Sequence, residues 1–340
     1  MMKKLLPLLL CLLLLTGCAP KPESLDIFAM DTYMSLVAVG DEAFDALQKS
    51  ANIVNSLEQA MSRTIDSSDV AQLNATGSAA LRYDTAVLLE EAIALSEATL
   101  GCFDVTIAPL VALWNISGDN PRVPAQEEID ALLPLVGSEH IHLNGGNATL
   151  DEGCAIDLGG IAKGFASDRI AQLYHESDLS GGFVSLGGNV YVHGSNTDGE
   201  KWNVAIQHPE VSGGYACMLS LTDAFVVTSG GYQRFFTAED GTVYQHILDP
   251  ATGAPAASDL LSVSIILPYD ADKLHGSMAD AYSTALYVMG EAAACDFWAG
   301  QQNFDMVLVT RDGRVIYTPN LIDHFTEVED SGYDYQVLTA

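Results

Sequence analysis

The chain has 340 residues, 49% of them hydrophobic, with a formal net charge of −31. That length allows one large domain or two ordinary ones, and the apolar share suffices for a buried core. The charge argues against nucleic-acid or anionic-lipid surfaces, which require patches of Lys and Arg. An anionic substrate must then be met locally, by a few basic residues, helix ends or a metal ion.

Residues 1–18 read as a targeting segment. Lys3 and Lys4 precede an apolar run at 5–15 that is too short to span a bilayer. Leu15-Thr16-Gly17-Cys18 closes the run with the form of a bacterial lipobox, in which Cys18 becomes the lipidated first residue. Residues 19–25 then read as a tether and 26–340 as the folded domain. The expectation is an extracytoplasmic protein, lipid-anchored to the cell membrane. Cys11 and Cys18 belong to the leader; Cys102, Cys154, Cys217 and Cys295 are widely spaced, with no C-x-x-C pair or zinc-like spacing. Disulfides and buried thiols both stay open for these four.

Along the domain, residues 35–39 read as a strand. Phe44, Leu47, Ala51, Val54, Leu57 and Met61 follow at helical spacing, with Asp41 as a plausible N-cap. Residues 69–73 suggest one further turn. Residues 84–100 read as a second helix capped by Asp84 and ended by Gly101. Residues 121–136 form an acidic loop and short helix. Residues 141–150 read as a hairpin around Asn144-Gly145-Gly146-Asn147. Beyond that, residues 154–156 read as a strand and 161–174 as a helix. The segments 182–194, 202–207, 217–227, 243–248 and 261–267 are strand-like. A helix at 276–289 ends at Gly290, a second helix follows at 292–299, and 306–318 read as a hairpin. Strands and helices do not alternate regularly, so an α+β domain with a largely antiparallel sheet is expected.

A few short clusters carry possible chemistry. Residues 157–168 (DLGGIAKGFASD) join a strand to a helix through Gly159 and Gly160, placing Lys163 at a helix N-terminus suited to phosphate; the plainer reading is an ordinary junction. Asp280 and Thr284 share one helix face, a hard oxygen pair of the kind Mg²⁺ takes, or else a first-turn acid and a core hydroxyl. Residues 228–232 read as a small, flexible loop or a strand-ending turn. His246 falls at a strand end, where a general base can sit, although a lone His is more often structural. Gly101-Cys102-Phe103-Asp104 suits a ring pocket or a core corner. His140 and His142 share a strand face, with nothing nearby in sequence to complete a site.

In order, these pieces resemble the ApbE family of flavin transferases (FAD:protein FMN transferases). They are Met30-Asp31-Thr32, Ser68-Asp69-Val70 with Leu73-Asn74, residues 101–104 with Pro109-Leu110, and residues 157–164 with Asp168. Leu186-Gly187-Gly188-Asn189, Trp202 with Pro209, residues 228–232, residues 246–253, and Asp280 with Thr284 continue the series. The resemblance implies an ApbE-like, T-fold-related α+β domain with helices flanking the sheet. It implies FAD as substrate and Mg²⁺ as cofactor, with FMN passed to a Thr or Ser hydroxyl of an acceptor protein and AMP released. The metal would rest on Asp280, Thr284 and the Ala162 carbonyl. Met30, Cys102, Phe103, Asp104, Gly159, Lys163, Thr228, Ser229, Gly230 and Ile247 would contact the cofactor. His246 would activate the acceptor, with Asp280 also catalytic. The implied partner is an acceptor flavoprotein subunit of an exported or membrane redox system. Hydrolysis of FAD to FMN and AMP, or flavin binding without chemistry, are the alternatives. Asp31, Thr64 and Gly231 depart from the commoner family pattern.

Overall fold

The computed structural model describes residues 21–339, so the lipobox with Cys18 lies outside the described residues. The domain starts with a hairpin of β1 (Glu23–Ala29) and β2 (Thr32–Gly40). The first strand therefore already occupies part of the expected tether. In α1 (Ala43–Met61) the predicted stripe is buried at Leu47, Val54, Leu57 and Met61, while Phe44 is exposed. The helix has no side-chain cap, and Glu42 rather than Asp41 precedes it. α2 (Asp69–Thr76) is capped by Ser68, whose Oγ accepts from the Ala71 N–H at 2.9 Å. After β3 (Ser78–Ala80) comes α3 (Tyr83–Ala98), in which Asp84 lies inside the first turn and pairs with Arg169 at 2.7 Å. α4 (Ala108–Trp114) and α5 (Gln126–Leu132) lead to β4 (Ile141–Asn144) and β5 (Asn147–Leu150), the expected hairpin.

The second half supplies α6 (Ala162–Glu176), β6 (Leu179–Leu186), β7 (Asn189–Gly194), β8 (Trp202–Gln207), β9 (Tyr215–Leu221) and β10 (Ala224–Gly230). Then come β11 (Phe235–Thr237), β12 (Val243–Gln245), β13 (Leu260–Pro268) and α7 (His275–Gln301), which is broken at Gly290 as its sequence suggested. β14 (Asp305–Thr310), β15 (Arg314–Tyr317), β16 (Phe325–Glu327) and β17 (Asp334–Val337) close the domain. The main sheet has nine strands in the order β1-β2-β6-β7-β10-β13-β14-β15-β17. Its pairings are antiparallel except for β15 with β17, so the α+β expectation holds.

The central strands are apolar on both faces because both faces are covered. Val227, Ile265 and Leu308 point into the core under the helices, with Phe165 and Leu286. Their neighbours Val226, Ile266 and Val307 point the other way, onto Val204 and Leu219 of the small β8–β9–β16 sheet. This alternation over a buried sheet is why residues 217–227 read as one strand when they are two, separated by the turn at Thr222 and Asp223.

One expectation fails in an instructive way. Residues 154–156 join no sheet. Instead, the Asn74 side chain pairs with Ile156 as a strand would: its Oδ1 accepts from the Ile156 N–H at 2.7 Å and its Nδ2 donates to the Ile156 carbonyl at 2.8 Å. That fixes the chain just before α6.

α6 and α7 cross with almost no space between them. A Cβ on Gly276 would lie 2.5 Å from the Gly164 carbonyl oxygen and 2.9 Å from Asp168 Oδ1. Gly276→Ala should therefore cost about 3 kcal/mol in urea unfolding, since overpacking of this kind moves backbone. Gly300→Ala, in the same helix but facing open space, should change stability by no more than about 1 kcal/mol, in the stabilising direction.

Candidate functional site around the α6 and α7 crossing

The turn before α6 is held by its own side chains. Asp157 Oδ1 accepts from the Gly159 N–H at 2.8 Å, and Asp157 pairs with Arg63 at 3.1 Å. The Ala162 N–H donates to the Leu158 carbonyl at 2.8 Å. Gly160 lies beneath Phe103, where a Cβ would come 3.3 Å from the ring. Lys163 Nζ returns to the Gly159 carbonyl at 3.1 Å and stands 3.9 Å from Asp280 Oδ2. The Gly164 N–H donates to that same oxygen at 2.9 Å. The helix end that the sequence offered to a phosphate thus receives Asp280 itself, which the helix dipole favours.

Asp280 is only 4% exposed. Burial raises its carboxyl above the usual range, while the Lys163 charge, the Gly164 N–H and the facing Asn189 amide pull it down. Asn189 Nδ2 nevertheless stays buried without a properly formed hydrogen bond. One turn on, Thr284 Oγ1 lies 3.2 Å from Ser229 Oγ, which also meets Ser283 Oγ at 2.8 Å. Thr228 Oγ1 pairs with Ser264 Oγ at 2.7 Å. Of the two readings, a loop or a strand end, the structure gives Thr228, Ser229 and Gly230 the strand end. They are the last residues of β10, in register with Ser264, Val263 and Ser262 of β13.

Asp168 plays the mirror role. Its Oδ1 accepts from the Gly276 N–H at 2.7 Å; its Oδ2 accepts from the Ser277 N–H at 2.8 Å and the Ser277 hydroxyl at 2.7 Å. Burial pushes its carboxyl up to about 7, against the pull of these donors.

Met30 and Asp31 form the β1–β2 turn with φ of 48° and 57°. A hairpin turn of this hand usually takes Asn-Gly, because side chains are strained there. The Met30 N–H donates to Glu58 Oε1 at 2.7 Å, and Arg234 Nη2 donates to the Asp31 carbonyl at 3.1 Å. Arg234 also links to His246, whose N–H donates to the Arg234 carbonyl at 3.1 Å. Burial, helped by the Arg234 and Lys163 charges, holds the His246 imidazole down to about 4, so it is neutral near pH 7. The Lys163 charge thus bears on both His246 and Asp280.

The remaining sequence-derived residues sit deeper. Ile247 is buried, and Gln245 brackets its backbone: Gln245 Nε2 donates to the Ile247 carbonyl at 2.9 Å. Phe103 is also buried. The Asp104 carboxylate is used within the fold, accepting from Ser96 Oγ at 2.8 Å, the Thr106 N–H at 2.8 Å and Thr106 Oγ1 at 2.5 Å. Cys102 is half-buried; burial and then Asp249 raise its thiol above the ordinary value. Cys102, Cys154, Cys217 and Cys295 are all free thiols. His140 and His142 do find a companion: Asp151 lies 2.9 Å from His140 Nδ1 and 2.8 Å from His142 Nε2. Two cavities, of about 320 and 200 Å³, lie along α6 beside Arg169 and are lined by neither Asp280, Thr284 nor His246.

A buried carboxylate and a hydroxyl one turn away are oxygen donors of the kind a hard divalent cation takes. The unused Asn189 donor and the Lys163 charge suit an anionic oxygen beside it. The sequence motifs include Asp168 and Asn189, and Ser283 sits between Asp280 and Thr284, but sequence alone assigns no role to these three or to Arg234.

Residues 30–308 match a family model described as the ApbE family. An FAD:protein FMN transferase of Treponema pallidum is 34% identical over 302 residues, spanning 83% of this chain and 82% of that protein. One from Vibrio cholerae is 32% identical over 304 residues, spanning 85% and 89%. The crystal structure of an ApbE protein from Thermotoga maritima matches with a TM-score of 0.80 at 29% identity, covering 88% of this chain and 98% of that one.

Asp168→Ala leaves two buried N–H groups at the start of α7 without an acceptor. It should lower the unfolding free energy by about 2–4 kcal/mol in urea titration; a loss under about 0.5 kcal/mol would mean that the cap carries no weight.

Proposed function

This chain belongs to the ApbE family and is a flavin transferase, and we propose that it moves FMN from FAD to a Thr or Ser hydroxyl of an acceptor protein, requires Mg²⁺ and releases AMP. The observation that carries this reading is the state of Asp280. It is a buried carboxylate with one backbone N–H donor at 2.9 Å and Lys163 at 3.9 Å, one turn from the Thr284 hydroxyl. So costly a charge is retained where a cation and a diphosphate compensate it.

Mg²⁺, when bound by Asp280, Thr284 and the Ala162 carbonyl, supplies positive charge for the diphosphate. The protein does the rest. Lys163 and the free Asn189 amide offset phosphate charge. Ser229, itself bonded to Ser283, holds the Thr284 hydroxyl in place. His246, neutral near pH 7, takes the proton of the acceptor hydroxyl as its oxygen bonds to the FMN phosphorus. The bond from that phosphorus to the AMP phosphate oxygen breaks, and AMP departs with the bonding pair. We assign the acceptor to an exported or membrane redox system, with this chain held beside it through lipid on Cys18. The support is the leader and the Leu-Thr-Gly-Cys run.

Incubation with FAD, Mg²⁺ and an acceptor should give AMP and an FMN mass adduct on the acceptor; AMP without an adduct would favour hydrolysis. Asp280→Asn should reduce Mg²⁺-dependent AMP release by on the order of 100-fold or more, and retained activity would remove the metal assignment. His246→Ala should slow transfer on the order of 100-fold while FAD binding persists. Because the base-competent form dominates above about pH 4, the wild-type rate should stay level through neutral pH and fall as pH drops through that value. An acid limb near pH 6.5, the ordinary imidazole value, would contradict this environment for His246.

A further inference from the structure

A second cluster of donor side chains lies at the opposite end of α6. His175 stands near the C-terminus of that helix, eleven residues beyond Gly164, which is about 16 Å along its axis. His193 comes from the end of β7 and Asp223 from the β9–β10 turn. Their ligand atoms all lie within 4.8 Å of one another. We propose that His175, His193 and Asp223 form a binding site for a divalent transition-metal ion of the zinc class.

His193 Nδ1 lies 3.2 Å from Asp223 Oδ1, and His175 Nε2 lies 3.5 Å from the same oxygen. Ligands bonded at about 2.0–2.2 Å to a tetrahedral zinc sit roughly 3.3 Å apart, so two edges of the polyhedron already have the right length. The frame is fixed before any ion enters. His193 is 7% exposed. Asp223 holds a left-handed φ of 45°, an uncommon conformation for a residue with a side chain. The Gly194 N–H donates to its Oδ1 at 3.0 Å, and its carbonyl accepts from the Tyr269 N–H at 2.7 Å. The His175 ring stacks on Tyr269 with centroids 3.8 Å apart. The Tyr191 hydroxyl lies 2.8 Å from His175 Nε2, so it is placed either to yield to the ion or to supply a fourth oxygen.

Two imidazoles and one carboxylate favour zinc and its first-row neighbours over Mg²⁺, which takes oxygen ligands. The cluster is therefore chemically and spatially separate from the Asp280 site. An ion here would pin the C-terminal turn of α6 to the end of β7 and the turn that leads into β10, two neighbouring strands inside the main sheet.

The full-length chain, stripped with a chelator and titrated with Zn²⁺ in excess Mg²⁺, should bind one Zn²⁺ per chain and unfold at a higher temperature when loaded. Co²⁺ in its place should give visible absorption of a low-coordinate site. His175→Gln should weaken Zn²⁺ binding by about 10-fold or more and shrink the rise in unfolding temperature that Zn²⁺ gives over the same variant without metal. Asp223→Asn, which tolerates the left-handed backbone, should do the same to binding. Absence of Zn²⁺ uptake by the wild-type chain, or undiminished uptake by both variants, would overturn the assignment.

Discussion

Asp168 of α6 caps the first turn of α7, and Asp280 of α7 reaches back into the first turn of α6. The two helices exchange carboxylates across the contact of Gly164 with Gly276. Neither exchange is possible unless the backbones come this close, and neither glycine can carry a side chain without separating them. The arrangement sets two helix N-termini and two buried acids within one small volume, in a protein whose charge of −31 makes such crowding costly.

The two acids are not equivalent. Asp168 has three donors on its two oxygens and is satisfied by the fold. Asp280 has the Gly164 N–H and a distant ammonium, leaving acceptor capacity to spare. One is a structural cap; the other keeps acceptor capacity that the fold does not use. The surroundings support that division. Asn189 keeps a buried donor unused, Thr284 belongs to a chain of hydroxyls, and His246 is held neutral within reach of the Lys163 charge. A sheet buried on both faces gives β10 and β13 little freedom, so these groups rest on a stiff base.

Much of this was legible in the sequence where the signal was local. The i, i+4 spacing put Asp280 and Thr284 on one helix face, the glycine at 290 marked the break in α7, and Asn-Gly-Gly-Asn marked a hairpin. Contacts distant in the chain were not legible. Nothing near Asp168 shows that it caps a helix more than a hundred residues later. Residues 154–156 have strand composition but pair with the Asn74 side chain, which no periodicity reveals. Residues 228–230 read equally as a loop or a strand end because Ser and Gly are poor strand formers; pairing with β13 keeps them in β10. His175, His193 and Asp223 come from three separate elements, so no spacing rule joins them.

The most direct test is the ¹³C signal of aspartate carboxyls in the labelled chain, assigned with Asp280→Asn and Asp168→Asn, as Mg²⁺ and FAD are added. The account predicts that the Asp280 signal moves on binding while that of Asp168 stays in place. A shift at Asp168 with Asp280 unmoved would contradict it.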